Sequence, residues 1–347
     1  MAQRELEDRI RSIIGETLPE AVSDADMRTQ ERALSELVEI RINRAGNFYF
    51  VQKGAPKDAD LISSSDRVVV DGLYDWKRPR KRRRYLQLKA DTTYAGPIMV
   101  AEGDSWFEHP LYPDLLDWAG KEYAVLSLAK AGDTWSDMID QDSDPAKHYS
   151  DGSLMGLTHV VAAEDKKGRP PKTILLSAGG NDLIGQIVQC VYPYDPARSE
   201  DDYINHTEFD KVLGQVMTDY RTKSAEVIRV GKIVLVHSYD YPNPQDNGEF
   251  IGFPLKKYRN IPGVGLMRRI VNQMIDIFSN ELITLARNSN DKIHFINLRE
   301  TIGTRDILNG PDQRLWSDEM HGNQLGYELL WKKLRVGIEA YAESFGT

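Results

Sequence analysis

Short apolar runs separated by longer amphipathic stretches dominate the chain from residue 96 onward. The runs are 98–101, 124–128, 173–177, 233–236 and 293–296. Runs of this length fit strands that are buried on both faces of a parallel sheet. The spacing of apolar residues over 266–282 predicts a helix, and 208–230 predicts another. Strands that alternate with helices indicate an α/β fold built on a parallel sheet.

The first 95 residues have a different pattern. Apolar residues at helical spacing predict two helices within 4–40. Short strands are predicted at 47–51, 67–70 and 85–89. We therefore expect an N-terminal α+β extension over residues 1–95, followed by the larger α/β domain over residues 96–347.

A strongly basic run lies inside the predicted extension. Seven of the eight residues from Lys77 to Arg84 are basic, although the net charge of the chain is −9. We interpret 77–84 as an exposed hairpin between two strands, because most runs of like charge are solvated and compensated by neighbouring acids. The alternative is a patch for the phosphate groups of an anionic partner. The negative net charge argues against nucleic acid as that partner.

The composition is typical of a soluble globular protein, with 41% hydrophobic and 28% charged residues. No apolar run approaches the roughly 18 residues that a membrane span needs. The first 30 residues contain no apolar block of the signal-peptide type, so a cytoplasmic location is expected. The single cysteine, Cys190, excludes an intrachain disulfide and argues against a cysteine-based zinc site.

Four motifs rich in glycine and polar residues follow apolar runs. They are Gly103-Asp104-Ser105-Trp106, Ala131-Gly132-Asp133-Thr134, Gly179-Gly180-Asn181-Asp182 and Asp318-Glu319-Met320-His321. Ligands of open α/β sheets gather at the carboxyl ends of the strands, where these motifs are expected to lie. The motifs are therefore the candidates for the functional site.

The four motifs can supply the parts of a serine hydrolase. A serine hydroxyl becomes a good nucleophile when a base accepts its proton, and His321 can do this for Ser105. Asp318 precedes the histidine by three residues and can orient its ring. The oxyanion of a tetrahedral intermediate needs fixed donors. The backbone N–H groups of Ser105 and Gly132 and the side-chain amide of Asn181 can supply them.

In this order the motifs resemble those of the SGNH hydrolases, also called GDSL lipases or esterases. The residues that match the Ser, Gly, Asn and His of the family are Ser105, Gly132, Asn181 and His321. The last motif also resembles the family's final block, in which the aspartate of the triad, here Asp318, stands three residues before the histidine. The resemblance implies a three-layer flavodoxin-like fold with a five-stranded parallel sheet. It also implies hydrolysis of an ester or amide, with a small-molecule ester as the expected substrate, without a metal or other cofactor.

Two departures from the family pattern leave the catalytic groups in place. Trp106 stands where many members have leucine, and Gly322 stands where proline is common. Two classes of function stay open at this point, and within the first the substrate can also be an acetylated sugar or a phospholipid. One is a GDSL-type esterase or lipase. The other is a non-catalytic binding module of the same fold that holds an anionic partner through the hairpin 77–84.

Two further features bear on the surroundings of this site. The stretches 185–205 and 239–263 are rich in tyrosine and proline, and we expect them to be long loops at the edge of the active site. Loops of this length often act as lids. His109 follows Ser105 by four residues, and the sequence leaves open whether it lies on the surface or contacts the substrate.

Overall fold

The structure of the protein is a computed structural model. It describes residues 3–14, 24–42, 48–54, 68–69, 78–109, 113–138 and 156–342. Its strands are β1 (Val38–Ile42), β2 (Phe48–Gln52), β3 (Val68–Val69), β4 (Ile98–Gly103), β5 (Ala124–Ser127), β6 (Thr173–Ser177), β7 (Ile233–His237) and β8 (Ile293–Ile296). Its helices are α1 (Gln3–Ile14), α2 (Asp24–Leu37), α3 (Arg78–Ala90), α4 (Leu115–Ala119), α5 (Leu157–Asp165), α6 (Gly180–Gly185), α7 (Ile187–Cys190), α8 (His206–Arg229), α9 (Gly252–Arg259), α10 (Val264–Arg287) and α11 (Gln324–Ala342).

A parallel sheet of five strands forms the centre of the protein. The order of the strands is β5-β4-β6-β7-β8, and every neighbouring pair is parallel. Val100, Ile174 and Val234 lie in register on three adjacent strands and are fully buried. The five apolar runs therefore form the five strands, and the predicted α/β fold class with a five-stranded parallel sheet is confirmed.

Helices cover both faces of this sheet, as parallel crossovers require. One group contains α4 and α11, which pack on each other. The other contains α5, α8 and α10, in which α8 and α10 pack against β7. The two helices predicted at 208–230 and 266–282 correspond to α8 and α10. Within the described residues, no helix combines the length and the apolar character that crossing a membrane requires.

The N-terminal residues contain a second, smaller sheet. Its order is β1-β2-β3 and both pairs are antiparallel. Two helices and the strands near 47–51 and 67–70 were expected and are present as α1, α2, β2 and β3. The second predicted helix, however, ends at Leu37, and the chain continues directly into β1. The division of the chain into two domains at residue 95 stays a prediction.

The basic run is a helix and not a hairpin. Residues 78–90 form α3, so the predictions of a hairpin at 77–84 and of a strand at 85–89 were wrong, while Lys77 lies outside the described residues. Lys81, Tyr85 and Lys89 recur at intervals of four and are all buried, with 8%, 1% and 8% of their surface exposed. Helical spacing places these three on one face. The pattern is hard to recognise because two members of this inner face are lysines.

Buried carboxylates explain how these lysines are accommodated. The Lys81 Nζ lies 2.8 Å from Glu108 Oε2 and 2.8 Å from Asp114 Oδ2, and both acids are fully buried. Burial alone lowers the pKa of a lysine, but the surrounding carboxylates raise the pKa of Lys81 above its ordinary value. The Lys89 Nζ lies 2.6 Å from Glu164 Oε2. These two cations are therefore internal ion-pair partners and cannot serve as a surface for an anionic partner.

Removing the Lys81 ammonium should destabilise the fold strongly. Lys81→Met leaves the buried acids Glu108 and Asp114 without their cation, and we expect a loss of about 3–5 kcal/mol in the free energy of unfolding. Urea denaturation measures this quantity. Arg84→Met, on the exposed side of the same helix, is the matched control and should cost below about 1 kcal/mol. Equal losses in the two variants would show that the buried ion pairs do not stabilise this region.

Candidate active site

A tight turn at the end of β4 holds Ser105. A Cβ atom on Gly103 would lie 2.6 Å from the carbonyl oxygen of Ser177, so only glycine fits where β4 passes the end of β6. Asp104 accepts a hydrogen bond from Ser177 Oγ at 3.1 Å and another from the Tyr239 hydroxyl. Burial raises the pKa of Asp104, whereas these hydrogen bonds act to lower it. The turn is thus fixed on both sides, and Ser105 is only 2% exposed.

Ser105 contacts the last motif of the chain directly. Its Oγ lies 2.7 Å from Nε2 of His321, a residue 216 positions later. The Nδ1 atom of His321 lies 2.9 Å from Oδ2 of Asp318. A ring nitrogen that faces a carboxylate carries the proton, which leaves Nε2 to accept from the serine hydroxyl. Both Ser105 and His321 are buried, so the contact between these two residues is shielded from bulk water.

The aspartate also fixes the backbone of its own turn. Oδ1 of Asp318 accepts the backbone N–H groups of Met320 and His321 at 2.7 and 2.9 Å. Because Asp318 and His321 are three residues apart, one carboxylate can bind both the backbone N–H and the ring of the histidine. Trp316 and Gly322 form an isolated bridge that closes the segment on both sides of this turn.

A hydrogen bond also joins the second and third motifs. The Asn181 side chain is buried, and its Nδ2 donates to the carbonyl oxygen of Asp133 at 2.9 Å. Gly132 has a φ of +86°, a left-handed conformation that favours glycine. Because an amide nitrogen carries two N–H groups, Asn181 keeps one that can bind a substrate oxygen.

Strand order explains why these motifs meet. β5, β4 and β6 are neighbours, so the residues that follow them lie at one edge of the sheet. The Lys130 N–H donates to Gly103 O at 2.9 Å, and the Asp104 N–H donates to Ser177 O at 3.1 Å. These backbone bonds connect the first motif with the segments that carry the second and the third.

Two aromatic rings flank the imidazole of His321. The His109 ring lies 4.9 Å from it between centroids, and the Phe250 ring lies 5.8 Å from it, both in edge-on arrangements. His109 is fully buried, and its backbone N–H donates to Asp114 Oδ2 at 3.1 Å. The surface alternative for His109 was therefore wrong. Phe250 lies in the stretch 239–263, which was expected at the edge of the active site, but sequence reasoning did not single out this residue.

The two stretches predicted as long loops contain short helices. α7 lies within 185–205, and α9 lies within 239–263. Phe250 brings the second stretch to the imidazole of His321. That these stretches act as a lid stays a prediction.

Potential metal ligands lie close together around His321. In the part of the chain that the structure describes, His109, Asp318 and His321 each offer a ligand atom, and these atoms lie within 4.8 Å of one another. However, both ring nitrogens of His321 already face protein groups, Nε2 facing Ser105 and Nδ1 facing Asp318. This arrangement suits proton transfer between side chains better than coordination of a cation.

The chain is similar to several solved structures at low sequence identity. A GDSL-like lipase from Bacteroides thetaiotaomicron is 14% identical over 75% of this chain and 98% of its own, with a TM-score of 0.40. The acetylxylan esterase Axe2 from Geobacillus stearothermophilus is 14% identical over 70% of this chain and 94% of its own, with a TM-score of 0.42. TesA is 13% identical over 70% of this chain and 98% of its own, with a TM-score of 0.39.

No protein-family model matches the chain, and no curated protein matches it. The chain nevertheless resembles the SGNH hydrolases in the order of its motifs. The contact between Ser105 and His321 joins the first of those motifs with the last.

Proposed function

We propose that this protein is a serine hydrolase of the SGNH type that cleaves an ester of a small molecule. One observation carries the proposal. The hydroxyl of Ser105 lies 2.7 Å from His321 Nε2, while Asp318 lies 2.9 Å from the other ring nitrogen. A nucleophile, a base and a group that orients the base are the minimum that acyl transfer through serine requires.

The reaction proceeds by two acyl transfers. In the first, Ser105 Oγ attacks the ester carbonyl while His321 Nε2 takes the hydroxyl proton, and the Asp318 carboxylate stabilises the imidazolium. The backbone N–H groups of Ser105 and Gly132 and the Asn181 amide bind the oxyanion. The alcohol then leaves with the proton from His321, and the acyl group stays on Ser105.

Water completes the cycle. His321 removes a proton from a water molecule that attacks the acyl carbonyl, and the bond between the carbonyl carbon and Ser105 Oγ breaks. The proton then returns to Ser105 Oγ, and a carboxylic acid leaves. Each proton that moves is transferred between His321 and an oxygen atom. The two acyl transfers therefore balance with the residues named here.

A fluorophosphonate probe tests the proposal directly. Such a probe loses fluoride and bonds covalently to an activated serine, so we expect it to label the intact protein at Ser105 and to leave Ser105→Ala unlabelled. The competing binding module predicts no labelling and salt-sensitive retention on heparin. The burial of Lys81 removes one of the cations of the run 77–84 on which that alternative depends.

Loss of the Asn181 amide should slow catalysis without disturbing the fold. Asn181→Ala removes one donor to the oxyanion, and we expect kcat for a p-nitrophenyl ester to fall by about 10²–10³ with little change in KM. Asn280→Ala, at an exposed position of α10, is the control and should keep the full rate. A normal kcat in the Asn181 variant would remove this residue from the oxyanion site.

A further inference from the structure

The residue after the catalytic aspartate holds a large part of the neighbouring loop. Glu319 is 1% exposed, and its carboxylate accepts four backbone N–H groups at 2.8 to 2.9 Å. The donors to Oε1 and Oε2 belong to Gln245, Gly252, Phe250 and Ile251. In addition, the carbonyl oxygen of Glu319 accepts the Asn243 N–H at 2.8 Å. Both ends of the loop 243–252 are therefore held on the catalytic turn 318–321 by hydrogen bonds.

The loop is shaped to fit this carboxylate. A Cβ atom on Gly248 would lie 1.9 Å from Cδ of Glu319. A Cβ atom on Gly252 would lie 1.6 Å from the carbonyl oxygen of Gln245. Glycine is thus required at both positions because the backbone closes tightly around the acid.

Only a carboxylate can satisfy the four donors. It offers two oxygen atoms with about four lone pairs, whereas an amide offers one oxygen and presents N–H groups on the other side. Burial raises the pKa of Glu319 to about 7, while the backbone N–H groups act to lower it. The carboxylate form, which accepts all four bonds, therefore prevails in assays at pH 8.

One of the four donors carries the ring that contacts the catalytic base. The Phe250 N–H bonds to Glu319 Oε2 at 2.8 Å, and the Phe250 ring lies 5.8 Å from the His321 ring between centroids. His109 occupies another side of the same imidazole. Because Ser105 and His321 are 2% and 1% exposed, the approach to the Ser105 hydroxyl is narrow, and Phe250 lies beside it next to His321.

We infer that Glu319 is a positioning residue that docks the loop 243–252 on the catalytic turn, so that Phe250 forms an apolar wall that limits the acyl chain to short groups. The inference rests on the proposed hydrolase function and names its substrate class, which is esters of short acyl groups. Glu319 itself does not need to touch the substrate. Its effect reaches the substrate through the position of Phe250.

The acyl-length preference tests the inference at pH 8, with p-nitrophenyl acetate and p-nitrophenyl hexanoate as substrates. We expect the wild type to prefer acetate. Phe250→Ala keeps the Glu319 contacts and opens the wall, so the ratio of kcat/KM for hexanoate to that for acetate should rise about tenfold or more. Glu319→Gln should raise the same ratio and also lower kcat/KM for acetate by about tenfold or more, because the ring is displaced.

Two comparisons separate positioning from a general loss of structure. Phe250→Ala leaves the carboxylate and its four backbone donors in place, so its change in acyl preference is measurable even if Glu319→Gln fails to fold. Asp246→Asn removes an exposed acid of the same loop, which pairs with Lys256, and it should behave as the wild type. A purely structural role of Glu319 would lower both rates equally and leave the ratio unchanged, which would overturn the inference.

Hydrogen exchange distinguishes a failed inference from a failed function. The backbone N–H groups of Phe250, Ile251 and Gly252 should be protected in the wild type and exchange faster in Glu319→Gln, whatever the protein catalyses. If Ser105-dependent hydrolysis is found but Phe250→Ala leaves the acyl preference unchanged, the inference is wrong and the function stands. If the wild type shows neither hydrolysis nor labelling, the proposed function fails, and the selectivity inference fails with it.

Discussion

Ser105→Ala is expected to reduce kcat for a short p-nitrophenyl ester by on the order of 10⁴–10⁶, while the fold stays intact. The substitution removes the oxygen that lies 2.7 Å from His321 Nε2. The side chain is small, and its loss creates almost no cavity, so unfolding in urea should be close to that of the wild type. Initial rates and a denaturation curve on the same preparation measure both effects.

A substitution at another serine provides the control for the Ser105→Ala result. Ser127 lies at the end of the neighbouring strand β5, and Ser127→Ala removes a hydroxyl of the same size from the same sheet. We expect this control to retain both the rate and the labelling by a fluorophosphonate. A Ser105 variant that still turns over the ester near the normal rate would rule out the nucleophile and, with it, the proposed mechanism.

Asp318→Asn should also reduce the rate strongly, by about 10³–10⁴ in kcat. The Asp318 carboxylate accepts the Nδ1 proton of His321 at 2.9 Å and thereby fixes the tautomer in which Nε2 can accept the proton of Ser105. An asparagine side chain can offer an N–H to Nδ1 instead, which favours the tautomer that carries its proton on Nε2. The base is then blocked although the geometry is kept. The pH–rate profile and kcat measured with the same ester report this loss.

Asp306 provides a close control for that substitution. Its Oδ1 accepts the N–H groups two and three residues later, from Leu308 and Asn309, each at 3.0 Å. Asp318 makes the same two bonds to its own turn, to Met320 and His321. Asp306→Asn therefore changes an equivalent turn that holds no histidine ring and should leave kcat unaffected. Equal effects of the two substitutions would indicate that Asp318 acts only on its backbone.

Several features of the protein could be predicted from the sequence because they depend on local order along the chain. Five apolar runs that alternate with helical stretches specify a parallel sheet, since strands buried on both faces need such runs. The carboxyl ends of parallel strands share one edge of the sheet, so the motifs that contain Ser105, Gly132 and Asn181 had to converge. The spacing of three between Asp318 and His321 likewise placed one carboxylate within reach of the ring.

Other features were decided by the tertiary structure. The run that contains Lys81 has the composition of a solvated surface, and it becomes an inner face of α3 only because Glu108 and Asp114 are buried beside it. A local pattern contains no information on partners that lie about thirty residues away. Charge alone therefore indicated a hairpin where the protein has a helix.

The surroundings of His321 depend on the same kind of distant contact. Nothing near Glu319 in the sequence distinguishes it from an exposed acid, and its four donors come from a loop about seventy residues earlier. Phe250 and His109 reach His321 from separate segments. The sequence by itself determined the sheet and the residues of the candidate triad, because strand order and short spacing are local properties. The walls of the site were decided only in three dimensions, since burial and hydrogen bonding between remote segments set them.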